Sequence, residues 1–155
     1  YRDNRCMKIL IVEDEEHKRE DVLACLHAGS FGAELVIAKS VGDAARAIRQ
    51  HEFTHAVVDM VLPTFSEGGS VSAGSQQAFG GQEILRVVAR HASSVKVILL
   101  SQYPDTDLDG KRIPLEESRE QLSAKFGVEI LATIHYDYKT ASWCEKLSSA
   151  IRDAK

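Results

Sequence analysis

Cysteine is scarce in this sequence, and no two cysteines form a familiar motif. The three thiols, Cys6, Cys25 and Cys144, are odd in number and far apart, so they give neither a CxxC pair nor the spacing of a zinc site. This pattern predicts reduced thiols and a cytoplasmic protein.

Long apolar runs and basic clusters are missing as well. No run approaches the ~20 apolar residues that a membrane-spanning helix needs, and the sequence does not open with a signal-peptide pattern. Nineteen Lys and Arg against 23 Asp and Glu leave a net charge of −4, which does not favour a nucleic-acid surface. We therefore expect no membrane contact and no direct nucleic-acid contact.

What is present is a regular alternation of short apolar strands and amphipathic helices. The 155 residues, 44% of them apolar, suit one domain over 7–155, with 1–6 as an extension or tag unless the chain is a piece of a longer one. Five βα units predict a five-stranded, doubly wound parallel sheet covered on both faces. The predicted strands are 8–12, 33–38, 56–61, 95–100 and 130–138.

Two connections depart from this regularity. Residues 64–81 are rich in Gly and Ser and have no period, so they predict a long loop, functional or disordered. No Gly-Lys followed by Ser or Thr occurs there, which disfavours a phosphate-binding P-loop. Further on, 103–113 is predicted to be a polar loop, and Pro114 to open a helix that runs to about Phe126.

Acidic residues stand where predicted strands end. Glu13 and Asp14 follow the first strand, and Asp59 lies near the end of the third, among apolar residues. Carboxyl ends of parallel strands meet at one edge of a sheet, where ligands bind. Three carboxylates that close repel one another unless a proton or a cation intervenes, and Mg²⁺ suits oxygen ligands of this kind. The sequence therefore predicts a Mg²⁺ site at this edge.

An acid beside such an ion can also act as a nucleophile. Carboxylates form aspartyl-phosphate intermediates in phosphoryl transfer, so Asp59 is the candidate acceptor. Ser101, at the end of the fourth strand, could donate a hydroxyl hydrogen bond, and Lys139, past the fifth strand, could supply a cation.

Four stretches resemble the receiver domain of two-component response regulators, from Met7 onward. KILIVEDEE is similar to that family's first strand and the acidic pair after it, and VVDMVLP to its phosphoacceptor strand. GGQEILR is similar to the glycine-led start of its third helix, and ILLSQ to the strand that ends in Ser or Thr. The resemblance implies a flavodoxin-like (βα)5 fold and a phosphoacceptor rather than an enzyme. It also implies a sensor histidine kinase as donor and an output protein as partner.

The resemblance also implies a role for each matching residue. Asp14 would hold Mg²⁺, Glu13 would act directly or through water, and the Val61 carbonyl would complete the metal site. Asp59 would accept the phosphoryl group. Two further residues would respond to it: Lys139 by pairing with the group and Tyr136 by changing rotamer. A homodimer through surfaces near the C-terminus stays open.

Alternatives remain beside this interpretation. The Lys139-Thr140 pair, where receivers usually have Lys-Pro, favours a phosphorylation-independent pseudo-receiver with Lys139 as a plain surface lysine. In that alternative the long loop would bind the partner protein. A phosphatase with an Asp nucleophile would need a second Asp two residues on, where Val61 stands. A flavodoxin-like electron carrier is disfavoured because the acidic EDEEH would repel a phosphate.

Overall fold

The structure, a computed structural model, describes residues 6–62 and 80–154. None of the helices in these ranges is both long and apolar enough to cross a membrane. The predicted loop 64–81 falls outside the described residues as far as position 79, and so do residues 1–5 of the predicted extension. The elements are β1 Lys8–Val12, α1 Glu16–Ala28, β2 Glu34–Ala38, α2 Val41–Gln50, β3 His55–Asp59, α3 Gly80–His91, β4 Lys96–Ser101, β5 Asp105–Leu108, β6 Lys111–Pro114, a 3₁₀ turn Leu115–Glu117, α4 Arg119–Phe126, β7 Glu129–His135 and α5 Ser142–Asp153.

Five of the strands form one parallel sheet in the order β2-β1-β3-β4-β7. The strands are short, and their central residues are apolar and almost fully buried, as expected when helices cover both faces. The predicted fold class is confirmed. β1 and β3 are neighbours at the point where the chain reverses its direction across the sheet, which is where ligands bind in such folds.

The core has two layers, one on each face of the sheet. One layer holds Leu10 and Val58 of the strands with Ile48 of α2 and Leu85 of α3. The other holds Ile11 and Val57 with apolar residues of α1 and α5. Successive side chains of a strand point to opposite faces, so neighbouring apolar residues of β1 and β3 pack alternately into one layer and the other.

The segment after β4 differs from its prediction. A two-stranded antiparallel hairpin, β5–β6, replaces the predicted polar loop 103–113, so that prediction was wrong. Pro114 ends β6 and directly precedes the 3₁₀ turn Leu115–Glu117. The predicted helix ends at Phe126 as expected, but α4 begins at Arg119 rather than at Pro114. Asp109 and Gly110 make the turn, with φ of 52° and 78°. An Asp-Gly pair with two positive φ angles matches the right-handed twist of the strands that it joins.

Two cysteines also differ from their prediction. Cys25 of α1 and Cys144 of α5 form a disulfide, with their Cα atoms 5.7 Å apart. The expectation of reduced thiols is therefore wrong for this pair, whose members are 119 positions apart in the sequence. Helix packing creates the pairing, so sequence spacing could not show it. Cys6 is a free, exposed thiol.

Candidate functional site

The carboxyl ends of β1 and β3 bring the acids together. Val12 pairs with Val58 in the sheet register, so the next residues, Glu13 and Asp59, lie side by side. Carboxylate oxygens of Glu13, Asp14 and Asp59 all lie within 4.8 Å of one another. Glu13 and Asp59 are buried, whereas Asp14 is exposed. The structure thus assembles the predicted acid cluster from two neighbouring strands.

A lysine that the sequence analysis did not consider lies inside this cluster. Lys18 Nζ is 3.1 Å from Glu13 Oε2 and 3.2 Å from Asp59 Oδ2. The other oxygen of each acid accepts a backbone N–H: Glu15 donates to Glu13 Oε1, and Val61 donates to Asp59 Oδ1, both at 3.0 Å. Both buried carboxylates therefore have partners at both oxygens.

Helix α1 carries Lys18 into the site. The buried residues of this helix are Lys18, Val22, Cys25 and Leu26, which is the spacing of one helical face. Lys18 is 1% exposed, so its ammonium group is nearly as inaccessible as the core around it. The signal was available in the sequence: a lysine stands where the face of α1 that packs on the sheet calls for an apolar residue.

Burial governs the protonation of the two inner acids. Burial, and then the nearby charge of Asp59, raise the pKa of Glu13 to about 8, while Lys18 acts in the opposite direction. Burial also raises the pKa of Asp59, again opposed by Lys18. The desolvated carboxylates therefore favour a cation or a proton between them.

A glycine brings α3 against the end of β3. A Cβ added at Gly81 would lie 2.6 Å from Met60 Cα and 2.9 Å from the Asp59 carbonyl oxygen, closer than real contacts allow. The Gly81 N–H donates to the Met60 carbonyl at 3.0 Å. Only a residue without a side chain lets the first turn of α3 lie directly on the backbone that holds Asp59.

Ser101 lies beside the cluster on the next strand. Asp59 pairs with Leu100 in the β3–β4 register, so Ser101 is one residue beyond the acid along the same edge. Its side chain is 2% exposed, and its Oγ accepts the Tyr103 N–H at 3.1 Å. The predicted hydroxyl is thus at the end of the strand that adjoins the acceptor.

Lys139 and Tyr136 occupy different surroundings. Lys139 is exposed, its Nζ lies 5.7 Å from the centre of the Tyr138 ring, and it forms no ion pair with any acid in residues 6–62 and 80–154. Tyr136 is buried against Trp143, and its hydroxyl donates to the Asp21 carboxylate of α1. Burial and Asp21 raise the pKa of Tyr136. Lys18 Nζ lies 5.5 Å from the Tyr136 ring centre.

The donor set suits Mg²⁺ in chemistry, with one complication. Three carboxylates and the backbone near Val61 offer the oxygen ligands that this ion prefers. Asp14 is the exposed member, through which an ion could enter. The complication is the Lys18 ammonium, which already contacts one oxygen each of Glu13 and Asp59. An ion at those two oxygens would have to share or displace that contact.

The five-stranded parallel sheet and its helices have the flavodoxin-like fold of CheY-like receiver domains. Solved structures agree: the response regulator receiver domain protein (CheY-like) of Methanospirillum hungatei has a TM-score of 0.66 at 19% identity, over 97% of this chain and 94% of its own. The response regulator TrrA of Thermotoga maritima, solved with Mg(2+)-BeF, has a TM-score of 0.56 at 18% identity, over 93% and 98% of the two chains.

Comparison of amino-acid sequences finds a related response regulatory protein. The Detocs response regulatory protein DtcB of Vibrio alginolyticus is 27% identical over 142 residues, which are 89% of this chain and 95% of that protein. No family model matches the chain. The resemblance to response-regulator receiver domains is therefore confirmed. The roles of individual residues, and the division into a domain, an extension and a loop, stay predictions.

Proposed function

We propose that the protein is a phosphoacceptor receiver domain, with Asp59 as the residue that takes the phosphoryl group. The observation that carries this proposal is the buried Asp59 carboxylate at the end of β3, grouped within 4.8 Å with Glu13 and Asp14. A carboxylate in that position is costly to desolvate, and a catalytic or metal-binding task gives a reason for the cost.

The transfer is a displacement at phosphorus. A carboxylate oxygen of Asp59 donates a lone pair to phosphorus, and the bond from phosphorus to the donor breaks, its electron pair leaving with the donor. The Ser101 hydroxyl donates a hydrogen bond to a phosphoryl oxygen. Mg²⁺ held by Asp14, with Glu13, Asp59 and the Val61 carbonyl, would neutralise charge on the phosphoryl oxygens.

The partners follow from this chemistry. A histidine kinase supplies the phosphoryl group in the cytoplasm, and an output protein reads the modified surface. The chain acts on its own Asp59, so it assists one transfer rather than turning over a separate substrate. The phosphoryl charge added to Asp59 would lie next to the Lys18 ammonium, and that ammonium in turn lies next to the Tyr136 ring. A change in Tyr136 is therefore the proposed route from Asp59 to the surface.

One observation favours the alternative of a pseudo-receiver. Lys18 already pairs with both inner acids, so the resting cluster is partly neutralised without a metal ion. Such a site could be a structural ion-pair network that never accepts a phosphoryl group, leaving protein binding as the function. Labelling of Asp59 separates the two functions.

The experiment is intact-mass spectrometry after incubation with acetyl phosphate, with and without Mg²⁺. The parent chain should gain a single phosphoryl group only when Mg²⁺ is present. Asp59→Asn should gain none, and the surface control Asp153→Asn should behave as the parent. Absence of any adduct on the parent, while a known receiver domain is labelled in parallel, would favour the pseudo-receiver.

A further inference from the structure

The Lys18 ammonium is a buried charge with carboxylates as its charge partners. It lies between Glu13 and Asp59, and the side chain is 1% exposed. A buried ammonium is expensive unless it is paired, so the two acids and the lysine stabilise one another as a unit. Lys18 comes from α1, whereas the resemblance assigns the cation of the site to Lys139, after β7.

Lys139 does not contact this unit in the structure. Its side chain is exposed beside Tyr138, and its backbone N–H donates to the Asp137 carboxylate at 3.0 Å. Among the described residues, the one basic side chain within ion-pair distance of Asp59 is Lys18. The position that faces the acceptor from inside the protein is therefore already filled by a lysine of α1.

Tyr136 lies against Lys18 and is itself hydrogen-bonded to the helix that carries Lys18. The Tyr136 ring lies 5.5 Å from Nζ, close enough for a cation–π contact. The Tyr136 hydroxyl donates to Asp21, which is on the same helix as Lys18. The β7 end and α1 are thus joined around the ammonium group, so its position is fixed by packing as well as by charge.

We infer that Lys18, rather than Lys139, is the cation of the phosphoacceptor site. It pairs with both Glu13 and Asp59 in the resting protein and partly neutralises them, and it pairs with the oxygens of the group transferred to Asp59. The second part of this inference rests on the proposed function. When the oxygen–phosphorus bond forms and the acetate or imidazole leaves, Lys18 keeps its proton and contributes only its charge.

The test compares Lys18→Met with Lys139→Met. Both changes keep an unbranched chain and remove the charge. With acetyl phosphate and Mg²⁺, Lys18→Met should lower the initial labelling rate at least tenfold, and Lys139→Met should leave it within twofold. Near-parental labelling of Lys18→Met, or a tenfold loss in Lys139→Met alone, would overturn the inference.

Magnesium affinity gives a readout that needs no phosphorylation. Removing the ammonium leaves two carboxylates without their cation, so titration calorimetry should show at least tenfold tighter Mg²⁺ binding to Lys18→Met and no change in Lys139→Met. An unchanged affinity in Lys18→Met would contradict the inference. If the parent takes no phosphoryl group, the proposed function fails, and this affinity still decides the role of Lys18 in the resting site.

A third measurement uses the unmodified chain, in case Lys18→Met does not fold. Lysine side chains labelled with ¹⁵N are observed by NMR while Mg²⁺ and beryllofluoride, an anion of phosphoryl shape, are added. The Lys18 ammonium signal should shift and the Lys139 signal should not. A shift of Lys139 alone would assign the cation to the segment after β7 and overturn the inference.

Discussion

The two ends of β3 bury one titratable side chain each and treat it differently. At the carboxyl end, Asp59 has a cation, a backbone N–H donor and two neighbouring acids. At the amino end, His55 Nδ1 lies 2.9 Å from Thr54 Oγ1, and His55 Nε2 has no hydrogen-bond partner in the described part of the chain. The carboxyl end surrounds its acid with a cation and a hydrogen-bond donor, whereas the amino end leaves one nitrogen of its histidine without a partner in the described part of the chain.

The pKa shifts follow the same division. Burial raises the pKa of Asp59, and the positive charge of Lys18 acts to lower it. Burial and Lys96 lower the pKa of His55, and no acid in residues 6–62 and 80–154 opposes that shift. A buried group that is simply part of the core is left neutral. A buried group with a built set of charged partners marks the end of the strand where chemistry is expected.

The largest effect should come from removing the cation at the carboxyl end. Lys18→Met leaves Glu13 and Asp59 buried side by side without a cation, so the pair must bind a proton or keep an uncompensated charge. We therefore expect the free energy of unfolding at pH 8 to fall by about 3 kcal/mol. Urea denaturation measures it. The double variant Lys18→Met/Glu13→Gln removes one of the two charges and should recover most of the loss. A double variant no more stable than Lys18→Met would contradict the ion-pair account.

A smaller effect is expected from the hydroxyl that supports the amino end. Thr54 Oγ1 lies 3.0 Å from both the N and the O of Lys8, in addition to its contact with His55. Thr54→Val should therefore lower the free energy of unfolding by about 1 kcal/mol. Thr140→Val, at an exposed hydroxyl beside Ser142, is the matched control and should change little. Equal losses in the two variants would weaken the comparison.

The last effect is a pH dependence at His55, and it is absent at neutral pH. Its pKa in the folded protein lies below the ordinary value, so the unfolded chain binds the proton first. Its contribution to stability is complete above about pH 6.5 and is lost as the pH falls, by at most about 1.4 kcal/mol per pH unit. His55→Leu should flatten that part of the stability profile, measured by urea denaturation between pH 7.5 and 5. His91→Leu, at an exposed position, should not. Parallel profiles for parent and His55→Leu would contradict the assignment.

Much of this comparison could be predicted from the sequence, because it depends on strand order. KILIV and the run into Asp59 are apolar enough to be recognised as buried strands, and parallel topology then brings Glu13 and Asp59 together. The hairpin was missed although Asp109-Gly110 is a strong turn signal, since the flanking strands have only four residues each.

Lys18 was missed for a different reason. Its neighbours in the sequence are charged, so EEHKRE resembles the solvated first turns of a helix. The four-residue step from Lys18 to Val22, followed by Cys25 and Leu26, was the evidence that it faces the core. Spacing along a helix could show that a lysine is buried, but only the sheet register shows which acids it meets.

The central claim is that Asp59 receives the phosphoryl group, and trapping the acyl phosphate tests it most directly. Borohydride reduces an aspartyl phosphate to homoserine, which peptide sequencing by mass spectrometry can place on the chain. After treatment with acetyl phosphate and Mg²⁺, the account predicts homoserine at position 59 and at no other acid. Homoserine at Asp14 instead, 2-amino-5-hydroxypentanoic acid (the product of a reduced glutamyl phosphate) at Glu13, or no reduced acid in a sample where a known receiver domain is trapped, would contradict it.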